Sequence, residues 1–374
     1  MTVLSRRANW TAPLNRLTIA RDERLRSGAP TVDLTGSNPT RAGLPWPEEE
    51  LQGALGRAAR ARYDPHPLGV RAAREAVARS LGCQGADIVI TASTSESYAF
   101  LFKLLADPGD EIVTAAPAYP LLEHLAQLEG LRLRHFPLEF QRRWELTKPE
   151  VSKRTRAIVV VSPNNPTGSY VRESELDALA AHGVPLVVDE VFREYAIGGS
   201  SPASAARKDV LTFALGGLSK SAGLPHYKLG WIRVSGPERE KAGALSGLEL
   251  IADHFLSVST PVQVALPELL AIGAKIREAI LERIRANDAL LRRITADNPA
   301  VVVLPAEGGW SAVLRVPRTR SDEDMALELL ADGVLVQPGY YFDFATDGHL
   351  VVSLLTRPED LETGARRVLA AADR

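Results

Sequence analysis

Short apolar runs bounded by turn residues alternate with stretches of helical period across the first two thirds of the chain. The runs at 88–91, 111–114, 132–137, 157–162, 185–189, 210–215 and 229–234 predict strands. Several are apolar without interruption, as in Ile158-Val159-Val160-Val161, which implies burial on both faces rather than a strand with one wet side. Helices are expected between them at 48–61, 70–81, 96–106, 120–128 and 173–181. This is the pattern of an α/β protein whose mostly parallel central sheet is flanked by helices.

After Pro261 the pattern changes. A long helical stretch at 265–296 leads into strands at 301–304 and 311–314, a helix at 323–331, strands at 334–336 and 350–355, and a closing helix at 359–371. That succession predicts a second, smaller α+β domain. The division expected is an N-terminal arm with part of the small domain at 1–45, a large domain at 46–258 and a small C-terminal domain at 259–374.

Composition narrows the partners. With 44 Lys and Arg against 46 Asp and Glu, the net charge of -2 gives no global field toward nucleic acid or a membrane surface. Small molecules are the expected partners. Cys83 is the single cysteine, so no internal disulfide forms, and the first ten residues lack the apolar stretch of a secretory leader. Cytoplasmic location is the default expectation.

Candidate chemistry gathers at strand ends. Asn165, in Pro163-Asn164-Asn165-Pro166-Thr167-Gly168, follows one apolar run, and Asp189 ends another. Lys220 follows a third in Gly216-Gly217-Leu218-Ser219-Lys220-Ser221. Carboxyl ends of strands in an open α/β sheet face the ligand crevice. Ser93-Thr94-Ser95 stands between a strand and a helix, where backbone N–H groups converge on a phosphate. Each has a plain structural reading as well: a helix cap, a turn, a surface lysine. Together they fit a pyridoxal-phosphate site. A lysine condenses with the cofactor aldehyde as a Schiff base, an aspartate keeps the pyridine nitrogen protonated, and an asparagine amide donates to the ring oxygen.

On these motifs the chain resembles the fold-type I pyridoxal-phosphate enzymes of the class I/II aminotransferase group, over nearly its whole length. The resemblance implies a large cofactor-binding domain, a smaller α+β domain, and a homodimer that moves an amino group between an amino acid or amine and an oxo acid. It makes Lys220 the Schiff-base lysine and proton carrier, Asp189 the partner of the pyridine nitrogen, and Asn165 the partner of the ring oxygen. Tyr119 matches the aromatic stacked on the ring. Ser93, Thr94, Ser95, Ser219 and Lys228 match the phosphate cup, and Tyr63 matches a tyrosine that reaches the phosphate of the neighbouring subunit. Asn38 matches a segment bordering the substrate, and Glu307-Gly308-Gly309-Trp310 an architectural approach to the small-domain sheet.

Three positions depart from the group. Phe192 stands where a tyrosine usually donates to the ring oxygen, and Lys228 where an arginine is common. Val351 occupies the place of the arginine that clamps the substrate carboxylate. Arg357, Arg193, Asn38, Tyr340 and Tyr341 are the candidates to rebuild a substrate pocket. Val351 also leaves open a lyase, decarboxylase or cyclase acting on a specialised amino acid. A cofactor-sensing transcription factor is disfavoured, because the aminotransferase-like text begins within the first few dozen residues. Trp10 belongs to the N-terminal arm.

Overall fold

The computed structural model describes Ser5, Arg7 and residues 13–374, so Trp10 lies outside the described residues. Eight strands form the main sheet in the order Ile88–Thr91, Gly230–Ser235, Thr212–Gly217, Leu186–Asp189, Thr155–Val161, Glu111–Ala116, Arg132–Phe140, Trp144–Leu146. Six share one direction; Gly230–Ser235 and the edge strand Trp144–Leu146 run against them. The apolar runs sit in the middle of the sheet because both faces are covered. Val159 and Val187 pack under the helices Thr94–Leu105 and Glu238–Asp253 with Phe102 and Leu248. Ile158, Val160, Leu186 and Val188 pack on the other face against Leu176 and Leu179 of the helix Glu173–Ala180. Successive side chains go to opposite faces, as strand geometry requires.

The C-terminal third carries a four-stranded antiparallel sheet in the order Val302–Val303, Ser311–Arg315, His349–Ser353, Gln337–Pro338. The single strand expected at 334–336 is in fact divided. Val334–Leu335 pairs in parallel with Val32–Asp33, whereas Gln337–Pro338 joins the four-stranded sheet. The early segment thus completes a structure whose other parts lie some 300 residues later, a pairing that no local pattern reveals.

One 36-residue helix, Thr260–Thr295, ties these parts together. At 1.5 Å per residue it is roughly 54 Å long. Leu266, Leu269, Ile276, Ile280, Ile284 and Leu291 make its buried stripe. It packs on the helices Glu48–Ala58 and Arg71–Leu81, on the closing helix Pro358–Ala372, and on the short turn Leu218–Ser221 that carries Lys220. Two helices absent from the sequence expectations appear, Arg16–Ser27 and Glu238–Asp253. Among the described residues no helix is long and apolar enough to cross a membrane.

Candidate active site

The carboxyl ends of four parallel strands open into one cleft that contains Ser93, Thr94, Asn165, Asp189 and Lys220. Close backbone approach makes this convergence possible. A Cβ on Gly216 would come within 2.5 Å of the Trp231 indole nitrogen, and one on Gly230 within 2.9 Å of the Ser93 carbonyl carbon. Side chains at either place would push the lysine-bearing turn or the helix start out of position.

Lys220 lies in the turn after Thr212–Gly217, with its Nζ over the faces of Trp310 and Phe192, 4.7 and 5.6 Å from the ring centroids. Burial disfavours its charged form and brings its pKa down to about 8. The fully buried Tyr195 donates its hydroxyl to the Lys220 carbonyl at 2.5 Å. Trp310 meets Phe192 and Tyr195 edge-on, with centroids 5.2 and 5.1 Å apart. Phe192 and Trp310 form the wall around the lysine nitrogen, with Tyr195 behind them holding the Lys220 backbone.

Asp189 is only 7% exposed. Its Oδ2 accepts the Tyr98 hydroxyl at 2.8 Å and its Oδ1 accepts the Val191 N–H at 3.1 Å. Burial raises its pKa, while these two bonds act in the opposite direction. Among the described residues no cationic side chain is paired with it. A buried carboxylate supplied only with neutral donors suits a ligand that brings its own positive charge, such as a protonated pyridine nitrogen.

At the opposite end, Ser93 caps the helix Thr94–Leu105 by accepting the Glu96 N–H at 3.2 Å. The first N–H groups of that helix have no intrahelical acceptor, so its positive end suits a phosphate. Asn165 accepts a hydrogen bond from the Ser311 hydroxyl at 3.2 Å on its Oδ1, which keeps its amide nitrogen as a donor. Carboxylate, amide, amine and helix end match the charges and donors of pyridoxal phosphate.

The structure gathers Ser93, Thr94, Tyr119, Asn165, Asp189, Phe192, Ser219 and Lys220 on the cleft wall. Other residues singled out in the sequence lie elsewhere. Ser95, in the first turn of its helix, does not line the cleft. Lys228 follows the turn Pro225–Tyr227 in a left-handed conformation and is exposed. Tyr63, 76% exposed, lines a separate surface hollow with Phe100 and Leu256. Asn38 spends its amide oxygen on Thr40, accepting the backbone N–H at 3.1 Å and the hydroxyl at 2.8 Å. Tyr340 donates to Glu323 at 3.3 Å, and Tyr341 to Asn15 at 3.1 Å. Arg357 is exposed and lies against Gly43, while Arg193 pairs with Glu194 at 2.8 Å. Val351, 1% exposed, belongs to an apolar cluster with Val313, Phe342 and Val160.

Tyr98 was hidden from sequence reasoning inside the apolar helix run Tyr98-Ala99-Phe100-Leu101-Phe102. Its spacing of four from Thr94, which puts both on one helix face, was the available signal. Ser37, Leu121, Leu122 and Ser311 also line the cleft, and Trp310, expected to be architectural, faces Lys220.

Comparison with known proteins accords with this geometry. The profile of the family "Aminotransferase class I and II" matches residues 39–368. The chain is 27% identical to glutamate-pyruvate aminotransferase AlaA of Haemophilus influenzae, over 90% of this chain and 89% of that protein. It is 28% identical to valine–pyruvate aminotransferase of Mycobacterium tuberculosis, over 94% and 93% of the two chains. The solved structure of an alanine aminotransferase from Pyrococcus furiosus superposes with a TM-score of 0.90 at 22% identity, covering 99% of this chain and 100% of the other. With the match spanning both the strand ends that form the cleft and the C-terminal sheet beside it, the chain belongs to the class I and II aminotransferases and is a pyridoxal-phosphate-dependent enzyme of that family.

Proposed function

We propose that Lys220 is the residue that carries the cofactor and moves the proton during amino transfer, with Asp189 and Tyr98 setting the charge at the far side of the ring. Pyridoxal phosphate, when bound, supplies an electron-accepting ring that weakens the C–H bond beside an attached nitrogen. Lys220 would take that proton with its amine once the incoming amino group has displaced it, and return it at the cofactor carbon. Its depressed pKa, about 8, suits this double duty near neutral pH. Asp189 would hold the positive charge at the ring nitrogen, and Tyr98 would fix the carboxylate's orientation. Asn165 would donate to the ring oxygen, Tyr119 would cover the ring face, and Ser93, Thr94 and Ser219 would hold the phosphate.

Family membership favours transfer over elimination, decarboxylation or cyclisation, and implies amino and oxo acid substrates. The relatives' names make glutamate, alanine, valine and pyruvate the first compounds to try. A homodimer is part of this reading. Tyr63, Leu250, Phe255, Leu256 and Val264 are large apolar side chains left exposed at 41 to 76%, and a second copy would cover them. The unpaired Cys83 thiol accords with the cytoplasm.

The observation that carries the reading is the half-buried Lys220 and the buried Asp189 in one cleft, with neither paired to a charge of the opposite sign among the described residues. Borohydride reduction of the cofactor-loaded protein, followed by peptide mass analysis, is expected to find the cofactor fixed on Lys220. Lys220→Ala should show no adduct and at least about a 10³-fold lower turnover, the scale of a lost general acid-base group. Label on any other residue overturns the assignment.

A further inference from the structure

An amide side chain has a carbonyl oxygen at one end and two N–H donors at the other, so whatever meets the oxygen decides which end is turned to a ligand. For Asn165 that partner is the Ser311 hydroxyl, which donates to Oδ1 at 3.2 Å; among the described residues neither side chain makes another hydrogen bond. The preceding Asn164 is already spent, its amide donating to the Pro117 carbonyl at 3.0 Å and to the Thr167 hydroxyl at 2.9 Å. Asn165 follows the main-sheet strand Thr155–Val161, whereas Ser311 opens a strand of the C-terminal sheet. Two residues on, Val313 and its cross-strand partner Val351 pack with Val160 of the main sheet. Ser311 is thus the polar end of an apolar row, placed where the row reaches the cleft. Ser353, directly opposite, gives its hydroxyl to the Gly36 carbonyl at 2.6 Å, and Ser311 reaches across to Asn165.

Resting on the reading of Asn165 as donor to the ring oxygen, we propose that Ser311 is a positioning residue: its hydroxyl locks the Asn165 amide with the N–H end toward the cofactor, so that the C-terminal sheet sets the hydrogen bond at the ring oxygen. Phe192 gives this control its weight, because it brings no hydroxyl to the place where the family resemblance puts a donating tyrosine. Asn165 carries that duty without the tyrosine's help. Without the Ser311 hydroxyl the amide is free to rotate, and its donor end is no longer fixed on the ring oxygen. A hydroxyl on the amide carbonyl also polarises the N–H bonds at the other end and strengthens them as donors. Both partners belong to one chain, so the contact needs nothing from a neighbouring subunit.

The consequence is a measurable proton affinity. Negative charge on the ring oxygen favours a proton on the nearby nitrogen that joins Lys220 to the cofactor, and a donor on that oxygen draws the charge away and loosens the proton. Losing the donor tightens it. The net worth of one hydrogen bond corresponds to an upward shift of about half to one pH unit.

The test is an absorbance titration of the cofactor-loaded enzyme against pH, which follows protonation of that nitrogen with no substrate present. Ser311→Ala is expected to raise the midpoint by about half to one unit over wild type, and Ser311→Thr, which keeps a hydroxyl, to stay within about 0.2 unit of it. Ser311→Cys, whose thiol is a weak donor of similar shape, should shift in the same direction by less, and it carries the same test should the alanine variant fail to fold. Asn165→Ala should raise the midpoint at least as far as Ser311→Ala, and adding Ser311→Ala to it should change nothing further. A merely structural serine would alter the melting temperature and leave the midpoint in place. An unchanged midpoint in Ser311→Ala, or a shift that persists undiminished in the Asn165→Ala background, overturns the inference and leaves the Asn165 reading standing. An unchanged midpoint in Asn165→Ala removes that reading, and this inference with it.

Discussion

Asp189 and Glu190 are adjacent in the chain, equally withdrawn from solvent at 7% exposure, and both held above the usual carboxylate range by burial. They face opposite sides of the sheet. Asp189 lies on the side of Val187 and meets Tyr98 at the floor of the cleft. Glu190 turns to the other side, where it accepts the Ser204 hydroxyl at 2.6 Å and lies 3.6 Å from the Arg193 guanidinium. Glu190 also accepts the Ala205 N–H, and its pKa is pushed up to about 7. Burial and a displaced pKa are common to both, so neither marks the functional group. What separates them is strand alternation: one side chain is aimed at a cleft with Lys220, the other at a neighbouring loop.

The largest break in this comparison comes from Asp189→Asn. Removing the buried negative charge that would face a protonated ring should weaken cofactor binding about 10²-fold or more, the scale of breaking a buried pair, as measured by equilibrium dialysis. Next is the pH dependence of cofactor capture by the apoprotein. Only the neutral lysine amine attacks the aldehyde. Capture should therefore quicken about tenfold per pH unit up to a midpoint near the Lys220 value of about 8, then level off. A midpoint above 10 would contradict the burial that the structure gives this lysine.

Tyr98→Phe is a milder cut. Losing a hydrogen bond to a charged acceptor costs about 1.5 to 3 kcal/mol, so cofactor affinity should fall roughly tenfold or somewhat more, with the fold unchanged by circular dichroism. Smallest at the site is Glu190→Gln, which should leave cofactor affinity within about twofold. Its effect belongs to stability. The folded protein holds a proton on Glu190 more tightly than the unfolded chain does, so that contribution is present in full below about pH 4.5 and is lost as pH rises toward about 7. The difference is on the order of 3 kcal/mol at most, with Arg193 offsetting part of it and Glu194 adding to it. Urea unfolding at pH 5 and pH 8 should show a flatter dependence for the variant than for the wild type.

The strand ends were legible in the sequence because burial on both faces leaves an unmistakable apolar run, and a polar residue at its end stands out. Asp189 after Leu186-Val187-Val188 and Lys220 after the glycine pair are of this kind. Tyr98 was illegible for the converse reason: a polar group embedded among buried aromatics reads as core. The reversed direction of Gly230–Ser235 carries no local mark, since its apolar content matches that of its parallel neighbours. The helix Arg16–Ser27 was obscured by Arg16, Arg21, Arg24 and Arg26, with Leu17 alone buried. Asn38, Tyr340 and Arg357 lie outside the strands, where no apolar run marks a side chain's surroundings: Asn38 caps a turn, Tyr340 bonds Glu323 and Arg357 lies against Gly43.

The long helix Thr260–Thr295 acts on the chemistry from behind. Gly273 stands against Ala222, two residues beyond Lys220, so closely that a Cβ there would overlap the alanine side chain. The helix backbone is therefore an anvil on which the lysine-bearing turn rests, and its surface at that spot sets how far the amine projects into the cleft. A single methyl added on the far side of the turn would raise the nucleophile like a shim under a tool, altering its reach without touching any group that contacts a ligand.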